Sequence, residues 1–443
     1  MARLFGTDGI RGVAGVDLTA DLARSVAAAA VAELAPNRAP LVAVGRDPRE
    51  SGSWLQEAII GGLTAAGADV VLLGVVPTPA VARAVADGVP GLDRRPEFGV
   101  VISASHNPAP DNGIKLFGPG GLKLDEAGER AIEARVERVL PPAAASTVGR
   151  VVADLGAEPG WYVDAVVATE PRRLDGLRVV VDCANGAAAS VAAQVYSRAG
   201  ADVTAINTDL SGSRINDACG ALHPESLRSA VAEHSADIGI AHDGDADRCL
   251  AMTGSGLLVD GDGIVAVLAL DLHRRHALRG NAVVVTVMSN LGLTKALRPY
   301  GIDVVVTPVG DRHVAERMRA DDLALGGEQS GHIVLLDHAS TGDGVLTALH
   351  LMGAVVASGQ SLGELAAVVD RLPQVLVNVA VADARRALAE ATAAVQSAEQ
   401  ELGDDGRILV RASGTEPVVR VMVEAPTDAV AREVADRIAS RLG

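Results

Sequence analysis

Three aspartates alternate along the chain at Asp243, Asp245 and Asp247. A short loop can turn all three carboxylates towards one point, and their mutual repulsion there favours a hard divalent cation with oxygen ligands. An EF-hand would need Gly at its sixth position and Glu at its twelfth, and counting from Asp243 those positions hold Arg248 and Gly254. The calcium motif is therefore excluded. Mg²⁺, which takes few protein carboxylates, is favoured, and a solvated acidic turn is the alternative.

A second segment, residues 103–108, offers a nucleophile. It contains Ser103, Ser105 and His106, followed by Asn and Pro. Such residues are also ordinary in a turn at the end of a strand, which is the structural alternative. We expect no G-x-S-x-G elbow at Ser105 or anywhere else in the chain, which disfavours an α/β-hydrolase nucleophile. Opposite a metal-bound loop of three aspartates, Ser105 makes better sense as a phosphoryl acceptor, because a metal neutralises the phosphoryl charge during transfer.

A third segment has the composition of an anion site. Ser413, Gly414 and Thr415 form a turn after a predicted strand, where hydroxyls and backbone N–H groups can make a concave nest for an anion. Arg411, and Arg420 on the next predicted strand, can add bidentate contacts to a phosphate. An ordinary hairpin with surface arginines is the alternative.

Weaker signals come from three other places. Glu328, Ser330 and His332 lie in a polar loop and can hydrogen-bond sugar hydroxyls, although such loops are also a common structural feature. Arg11 lies in a glycine-rich segment near the N-terminus and is a candidate phosphate contact, with a tight turn as the alternative. Lys115 follows the serine segment closely enough to reach the same cleft.

Length and charge limit the class of protein. A chain of 443 residues is too long for one hydrophobic core, so two to four domains are expected. The net charge is −17 and no dense stripe of Lys and Arg occurs, which argues against a nucleic-acid surface. Any phosphate site must therefore depend on local cations, backbone N–H groups or a metal.

The cysteines and the apolar pattern indicate a compartment. The three cysteines lack a CxxC motif, so we expect reduced thiols in a cytoplasmic protein. The N-terminal segment has no apolar core typical of a signal peptide, and no apolar run reaches about 18 residues. The sequence therefore predicts a soluble protein without a membrane partner.

One pattern recurs three times and predicts the architecture. Gly67, Gly200 and Gly301 each follow a helical stretch and open a β-branched run, which is typical of a helix C′ residue before a strand. A strand is predicted before each pattern, at 41–45, 178–182 and 283–287, and another after it, at 97–103, 236–242 and 323–327. This is a βαβαβ layout with parallel strands. Ligands bind at the carboxyl ends of such strands, and each third strand ends in one of the polar loops, so we expect one shared cleft.

The predicted fold is α/β, with three related α/β domains of mixed or parallel sheets and a C-terminal α+β domain around a central cleft. The Pro- and Ala-rich stretch 141–149 is predicted to be a linker. The fourth domain is predicted to contain strands 375–381, 407–412 and 418–424 and helices 384–402 and 428–442. The predicted domains are 1–142, 150–254, 255–371 and 373–443.

Together, these segments resemble the α-D-phosphohexomutase superfamily, in order and over essentially the whole chain. The resemblance covers a serine loop (103–108), a metal loop (243–248), a sugar loop (327–332) and a phosphate loop (411–417). It implies that Ser105 carries a phosphoryl group, and that one Mg²⁺ is held by Ser105, Asp243, Asp245 and Asp247. It also implies substrate contacts from Arg248, Glu328, Ser330, Arg411, Ser413, Gly414, Thr415 and Arg420.

The resemblance further implies a reaction with a small sugar phosphate as substrate. Phosphoserine gives its phosphoryl group to the sugar monophosphate, and the resulting bisphosphate reorients and returns its other phosphoryl group to the serine. A hexosamine 1,6-bisphosphate or glucose 1,6-bisphosphate is the implied intermediate and activator. Arg11, Lys115 and His332 match positions near the transferring group, where acid–base roles are proposed.

Two features bear on the branch of the superfamily. The glycine-rich segment 5–12 and Gln329 are similar to the branch that interconverts glucosamine 6-phosphate and glucosamine 1-phosphate, towards UDP-N-acetylglucosamine and cell-wall precursors. The alternative is the phosphomannomutase/phosphoglucomutase branch, which commonly has Met at the Gln329 position.

Ala246 stands in the metal loop at a position where glycine is common. Because Ala disfavours positive φ, we expect the loop to form without a positive φ there. An epimerase or phosphatase, an inactive binding protein, and a homodimer all stay open.

Overall fold

The structure is a computed structural model, which describes residues 4–6, 8–36, 39–136, 148–156, 159–413 and 417–442. Within these ranges, no helix combines the length and the apolar character needed to cross a membrane. The described residues form four successive units, each with its own sheet.

The first unit is a mixed sheet with helices packed on it, in the strand order β1-β5-β4-β2-β3-β7 with β6 beside β5. Strands β2, β3, β4 and β7 are parallel, and β5 runs antiparallel to β4 and to β1. Strand β7 follows the predicted linker yet pairs with β3, so the first sheet extends past the boundary predicted at residue 142. Its elements are β1 (Ile10–Val13), α1 (Ala20–Leu34), β2 (Leu41–Arg46), α2 (Gly52–Ala65), β3 (Asp69–Val75), α3 (Thr78–Asp87), β4 (Phe98–Ile102), β5 (Asp111–Gly118), β6 (Leu122–Lys123), α4 (Glu126–Val136) and β7 (Val151–Asp154).

The second and third units are smaller sheets, ordered β12-β11-β10-β8-β9 and β14-β13-β15-β16. The second contains α5 (Gly160–Val167), β8 (Arg178–Asp182), α6 (Ala192–Ala199), β9 (Asp202–Ile206), α7 (Glu225–Glu233), β10 (Ile238–Ala241), β11 (Leu250–Thr253) and β12 (Leu258–Val259). The third contains α8 (Gly261–Arg274), β13 (Ala282–Thr286), α9 (Leu291–Leu297), β14 (Asp303–Thr307), α10 (Asp311–Ala320), β15 (Leu325–Gly327), β16 (Ile333–Leu335), α11 (Gly344–Ser358) and α12 (Leu362–Ala366).

The same four-strand arrangement occurs in all three sheets, as β3-β2-β4-β5, β9-β8-β10-β11 and β14-β13-β15-β16. In each, the first three strands are parallel and the fourth returns antiparallel. Gly67, Gly200 and Gly301 have φ of 90°, 114° and 67° and directly precede the outer strands of this arrangement. These positive φ values are the ones that glycine adopts without a Cβ penalty. The prediction of three related α/β domains is confirmed.

Local hydrogen bonds mark where several helices begin. The Asp260 side chain accepts from Gly263 N at the start of α8, and the Asp343 side chain accepts from Leu346 N at the start of α11. Ser361 lies in the chain's G-x-S-x-G string, at 359–363, and forms a capping box at the start of α12. The expectation that the chain lacks this string is therefore wrong, but the string begins a helix and does not form a nucleophile elbow.

The fourth unit is an antiparallel sheet ordered β17-β19-β18, with two helices packed on it. Its elements are β17 (Gln374–Ala380), α13 (Ala384–Leu402), β18 (Arg407–Ala412), β19 (Val418–Glu424) and α14 (Asp428–Ala439). This agrees with the predicted α+β unit.

Hydrophobic packing divides the molecule into two parts. The largest core cluster joins the first three units, with Val81 of α3, Tyr196 of α6 and Leu349 of α11 among its buried members. The fourth unit has its own cluster, including Val421 and Val434. Sheets that share a core move together, so the first three units form one packed body to which the fourth is attached.

Candidate active site

The serine, metal and sugar loops meet in one cleft. Each leaves the carboxyl end of the third parallel strand of its repeat: β4, β10 or β15. Ser105 Oγ donates a hydrogen bond to Asp243 Oδ2 over 2.5 Å, which joins the serine loop to the metal loop. Cys249 N donates to Gly331 O over 3.0 Å, which joins the end of the metal loop to the sugar loop. The shared cleft predicted from the sequence is confirmed.

The metal loop brings its three carboxylates together in a buried position. One oxygen from each of Asp243, Asp245 and Asp247 lies within 4.8 Å of the other two. Among the described residues, Asp245 Oδ1 and Asp247 Oδ1 are buried and accept no hydrogen bond. Burial, and then the charges of Asp247 and Asp245, raise the pKa of Asp243 well above its usual value. A divalent cation would coordinate the two oxygens that accept no hydrogen bond and would offset the repulsion between the carboxylates. The three residues therefore fit a metal site.

The second oxygen of Asp245 is held by the first unit. Thr78 Oγ1 donates to Asp245 Oδ2 over 2.6 Å, and Lys115 Nζ donates to the same atom over 2.8 Å. Lys115 Nζ also lies 3.3 Å from Asp247 Oδ2 and 3.0 Å from Asp8 Oδ2. Burial by itself would lower the pKa of Lys115, but the carboxylates of Asp245, Asp8 and Asp247 raise it well above its usual value. Lys115 is therefore a fixed cation beside the metal loop.

Ser105 is almost fully buried and has a left-handed backbone, with φ of 52°. Its Oγ lies 3.3 Å from His106 Nδ1 in addition to its bond to Asp243. Burial, followed by the charges of Arg248 and Arg11, lowers the pKa of His106 to about 4. The His106 imidazole is thus neutral near pH 7, and the Ser105 hydroxyl donates to Asp243 Oδ2.

The metal loop contains a second left-handed residue, because Ala246 has φ of 55°. The expectation that this loop forms without a positive φ is wrong. Ala246 is fully buried, its N donates to Asp243 O over 3.1 Å, and its O accepts from Gly344 N over 3.0 Å. Contacts on both sides of the peptide therefore hold the alanine in a conformation that its side chain disfavours.

A chain of contacts between charged groups runs from Arg11 through Asp8, Lys123 and Asp311 and ends beside His332. Arg11 Nη1 donates to Asn107 Oδ1 in the serine loop over 3.1 Å, and its other terminal nitrogen pairs with Asp8. Lys123 Nζ donates to Asp8 Oδ1 over 2.6 Å and also pairs with Asp311. His332 Nε2 lies 3.4 Å from Asp311 Oδ2. Lys123 thus bridges the first and third units.

The other predicted substrate residues of the first three units also lie on these loops. Glu328 Oε1 accepts from Gly310 N over 3.1 Å, and Glu328 N donates to His332 O over 3.0 Å. Ser330 lies on the same turn and is partly exposed. Arg248 Nε is 3.9 Å from Asp243 Oδ2 and 3.8 Å from Asp247 Oδ1. The burial of Arg248 opposes its charge, but these carboxylates raise its pKa, so it adds a positive charge to the cleft.

The predicted phosphate residues lie in the fourth unit. Arg411 and Arg420 are directly opposite each other on β18 and β19. Two arginines at facing positions can both contact one phosphate, since a guanidinium group binds phosphate through paired N–H groups. Ser413 follows β18, and its N donates to Val418 O over 2.9 Å. Gly414 and Thr415 lie outside the described residues.

Several residues that the sequence analysis did not name also contact the serine or metal loop or lie at the cleft. They follow the carboxyl ends of other parallel strands: Asp47 and Arg49 after β2, Thr78 after β3, Asn216 after β9 and Asp311 after β14. The strand-end rule, applied to every parallel strand rather than to the third of each repeat, would have indicated these segments.

Comparison with known proteins identifies related sequences over the whole chain. Models of the phosphoglucomutase/phosphomannomutase family match in order: alpha/beta/alpha domain I over residues 2–141, domain II over 161–256, domain III over 260–372, and the C-terminal domain over 376–441. A protein named phosphoglucosamine mutase from Frankia alni is 57% identical over 454 residues, covering 99% of this chain and 98% of its own. A protein of the same name from Thermobifida fusca is 56% identical over 446 residues, with 99% and 98% covered.

Solved structures share the fold. A phosphoglucomutase/phosphomannomutase family protein from Burkholderia thailandensis superposes with a TM-score of 0.85 at 26% identity, covering 99% of this chain and 97% of its own. The N-acetylphosphoglucosamine mutase of Aspergillus fumigatus, in complex with GlcNAc-6P and magnesium, gives a TM-score of 0.68 at 20% identity, with 99% and 95% covered.

Proposed function

Because the chain belongs to the phosphoglucomutase/phosphomannomutase family, we propose that it is a phosphoglucosamine mutase, an isomerase that interconverts glucosamine 6-phosphate and glucosamine 1-phosphate. The observation that carries this proposal is the 2.5 Å bond between Ser105 Oγ and Asp243 Oδ2, in a chain 57% identical to a protein of that name. The product would be a precursor of UDP-N-acetylglucosamine and so of cell-wall synthesis. A cytoplasmic location and a homodimer stay predictions.

The proposed reaction has two phosphoryl transfers. Phosphorylated Ser105 gives its phosphoryl group to O1 of glucosamine 6-phosphate: the Oγ–P bond breaks, an O1–P bond forms, and the O1 proton is lost while Oγ gains one. The 1,6-bisphosphate then turns end for end. Its 6-phosphoryl group returns to Ser105, which leaves glucosamine 1-phosphate and the phosphoenzyme. A small amount of hexose 1,6-bisphosphate would load an enzyme that has lost its phosphoryl group.

Mg²⁺ is proposed to bind Asp243, Asp245, Asp247 and a phosphoserine oxygen, where it would neutralise charge on the transferring group. Around it, Lys115 and Arg248 are held as cations by the neighbouring carboxylates. They can balance the phosphoryl charge in a chain whose net charge of −17 would otherwise repel it. Arg11, held next to the serine loop by Asn107, is the proposed third positive group, and His332 is a proposed acid–base group.

The distal phosphate, which is not transferred in a given half-reaction, is assigned to Arg411, Ser413, Thr415 and Arg420, with Gly414 in the same turn. The packing supports a fourth unit that moves onto the substrate, since its core is separate from that of the first three. Closure of a domain over the substrate excludes water and completes the site.

Glucosamine differs from glucose by an amine at C2, so recognition requires a hydrogen-bond acceptor or a carboxylate. Glu328 and Ser330 are the proposed sugar contacts, and Glu328 carries the carboxylate. One added polar contact contributes about 0.5–1.5 kcal/mol, or up to about 3 kcal/mol if it is charged. We therefore expect side activity on glucose phosphate. The alternative function is that of a phosphomannomutase/phosphoglucomutase.

Three measurements test the proposal. Intact-protein and peptide mass spectrometry should locate one phosphoryl group on Ser105, and the variant Ser105→Ala should have no turnover, while Ser190→Ala keeps it. Ser190 lies in the second unit, and among the described contacts its Oγ donates only to Ala187 O, which makes it a suitable control. Full activity in Ser105→Ala would refute the mechanism.

Substrate preference is tested by comparing kcat/KM for the sugar phosphates in a single assay. The value should be highest for glucosamine phosphate, and a higher value for mannose or glucose phosphate would favour the alternative function.

A further inference from the structure

Arg49 has a buried guanidinium group, and all its N–H groups donate to the serine loop and the residues just after it or to Asp47, which supports that loop. It is fully buried, and its Nε donates to Asp47 Oδ2 over 2.9 Å. One terminal nitrogen donates to Ser105 O over 3.0 Å and Asn107 O over 2.8 Å. The other donates to the backbone oxygens of Pro108 and Asp111. All five N–H groups of the fork thus have an acceptor, and four of these acceptors are carbonyl groups of the segment 105–111.

A second residue reaches the same carbonyl groups from another unit. Asn216 lies in the segment after β9, and its Nδ2 donates to Ser105 O over 2.9 Å and to Asn107 O over 3.0 Å. The metal loop is packed directly under this point, because a Cβ added at Gly244 would lie 2.5 Å from Ser105 O. The serine loop is therefore fixed to the unit that carries the three aspartates.

The N–H side of the nucleophile is fixed as well. Ser105 N donates to Ser103 Oγ over 2.8 Å, and Ser103 Oγ donates to Asp47 Oδ2 over 2.6 Å. Both backbone groups of Ser105 are thus bound by side chains that leave its Oγ free to face Asp243. A non-glycine residue at φ of 52° is strained and persists only where its surroundings hold it. Arg49 and Asn216 supply part of that support.

We propose that Arg49 and Asn216 are positioning residues for phosphoryl transfer at Ser105, acting through the backbone carbonyl groups of the serine loop. Among the described contacts, neither side chain bonds to Ser105 Oγ or to Asp243, Asp245 or Asp247, so their effect is on the alignment of the nucleophile and not on the binding of the sugar. A misplacement of about 1 Å at a reacting atom can reduce a rate about 10²-fold. The inference rests on the proposed phosphoryl transfer at Ser105 and is independent of which sugar is the substrate.

The chain offers a matched pair of variants. Asn216 and Asn207 both have left-handed backbones, with φ of 59° and 50°, and both lie in the second unit. Glycine accommodates either φ, so Asn→Gly removes the amide without backbone strain or a change in charge. Among the described residues, Asn207 Nδ2 donates only to Ser226 Oγ, over 3.4 Å, and has no hydrogen bond to the serine loop. Asn207→Gly is therefore the control for Asn216→Gly.

The experiment starts from dephosphorylated protein and follows the mass gain at Ser105 after mixing with glucose 1,6-bisphosphate and Mg²⁺. We expect Asn216→Gly to take up the phosphoryl group about tenfold more slowly than the wild type, and Asn207→Gly to match the wild type. In Arg49→Lys, one ammonium group cannot donate to all five acceptors. We expect the rate of phosphoryl uptake to be about 10²-fold lower than in the wild type where the variant folds. In steady state, kcat should fall in proportion while KM for the sugar phosphate changes less than about threefold.

A residue with a merely structural role would lower Tm without changing the transfer rate of the folded protein. Equal transfer rates in Asn216→Gly and wild type, or equal losses in Asn216→Gly and Asn207→Gly, would overturn the inference. A wild-type chain that takes up no phosphoryl group from the bisphosphate would refute the proposed mechanism and the inference with it. Uptake by the wild type without turnover of glucosamine phosphate would refute only the proposed substrate.

Discussion

Thr78 connects the first unit to the metal loop through one side-chain hydrogen bond. Its Oγ1 donates to Asp245 Oδ2 over 2.6 Å, and its backbone N donates to Asp245 O over 2.9 Å. The substitution Thr78→Val keeps the shape of the side chain and the backbone bond, and removes only the hydroxyl donor. Without this donor the Asp245 carboxylate is less well oriented. Its other oxygen, Oδ1, accepts no hydrogen bond from the described residues and is the one available to a metal. We therefore expect weaker metal binding.

The size of the effect follows from the bond that is lost. A hydrogen bond to a charged group contributes about 1.5–3 kcal/mol, and each 1.4 kcal/mol corresponds to about a factor of ten in affinity. Outer contacts to metal ligands typically account for about 10–100-fold in metal affinity. Lys115 still donates to Asp245 Oδ2 in the variant. We therefore expect metal affinity to fall by about tenfold, the lower end of that range.

The assay is the Mg²⁺ concentration that gives half-maximal mutase activity, together with Tm. Thr307→Val is the matched control, because Thr307 is also buried and its Oγ1 donates to Val285 O over 3.2 Å, in the third unit. We expect the Mg²⁺ requirement to rise about tenfold in Thr78→Val and to stay unchanged in Thr307→Val. An unchanged Mg²⁺ requirement in a folded Thr78→Val protein would show that this bond does not orient a metal ligand.

Three further predictions test other parts of the structure. Exhaustive chelation should abolish activity and Mg²⁺ should restore it, whereas persistent turnover would exclude the metal. Arg411→Met should raise KM about tenfold or more with a smaller change in kcat, since a contact to the distal phosphate is the same in ground and transition states; a change confined to kcat would contradict the assignment. Burial raises the pKa of Asp262 from 3.8 to about 6, so its contribution to stability is present below pH 4 and is lost as pH rises through 6. The loss amounts to about 3 kcal/mol in all, so Tm of Asp262→Asn should exceed that of the wild type by more at pH 8 than at pH 5, and a constant difference would count against it.

The repeated fold could be predicted because its signals are local. The glycines at 67, 200 and 301, the β-branched runs after them and the polar loops at strand ends depend on the conformational preferences of a few neighbouring residues. Helix α13 was predicted with the bounds that the structure gives it. The three loops could be assigned to one cleft because parallel strands of related sheets end on the same side.

Contacts between residues far apart in the sequence were decided only by the tertiary structure. Lys115 is 130 residues from Asp245, Thr78 is 167 residues from it, and Asn216 is 111 residues from Ser105. The left-handed backbone of Ala246 belongs to the same class, because hydrogen bonds from the loop and from Gly344 impose it against the preference of alanine. Local sequence determines which loops carry the chemistry, since it sets strand and turn propensities. Which distant side chains hold those loops in place depends on how the sheets pack, and no short-range pattern encodes that packing.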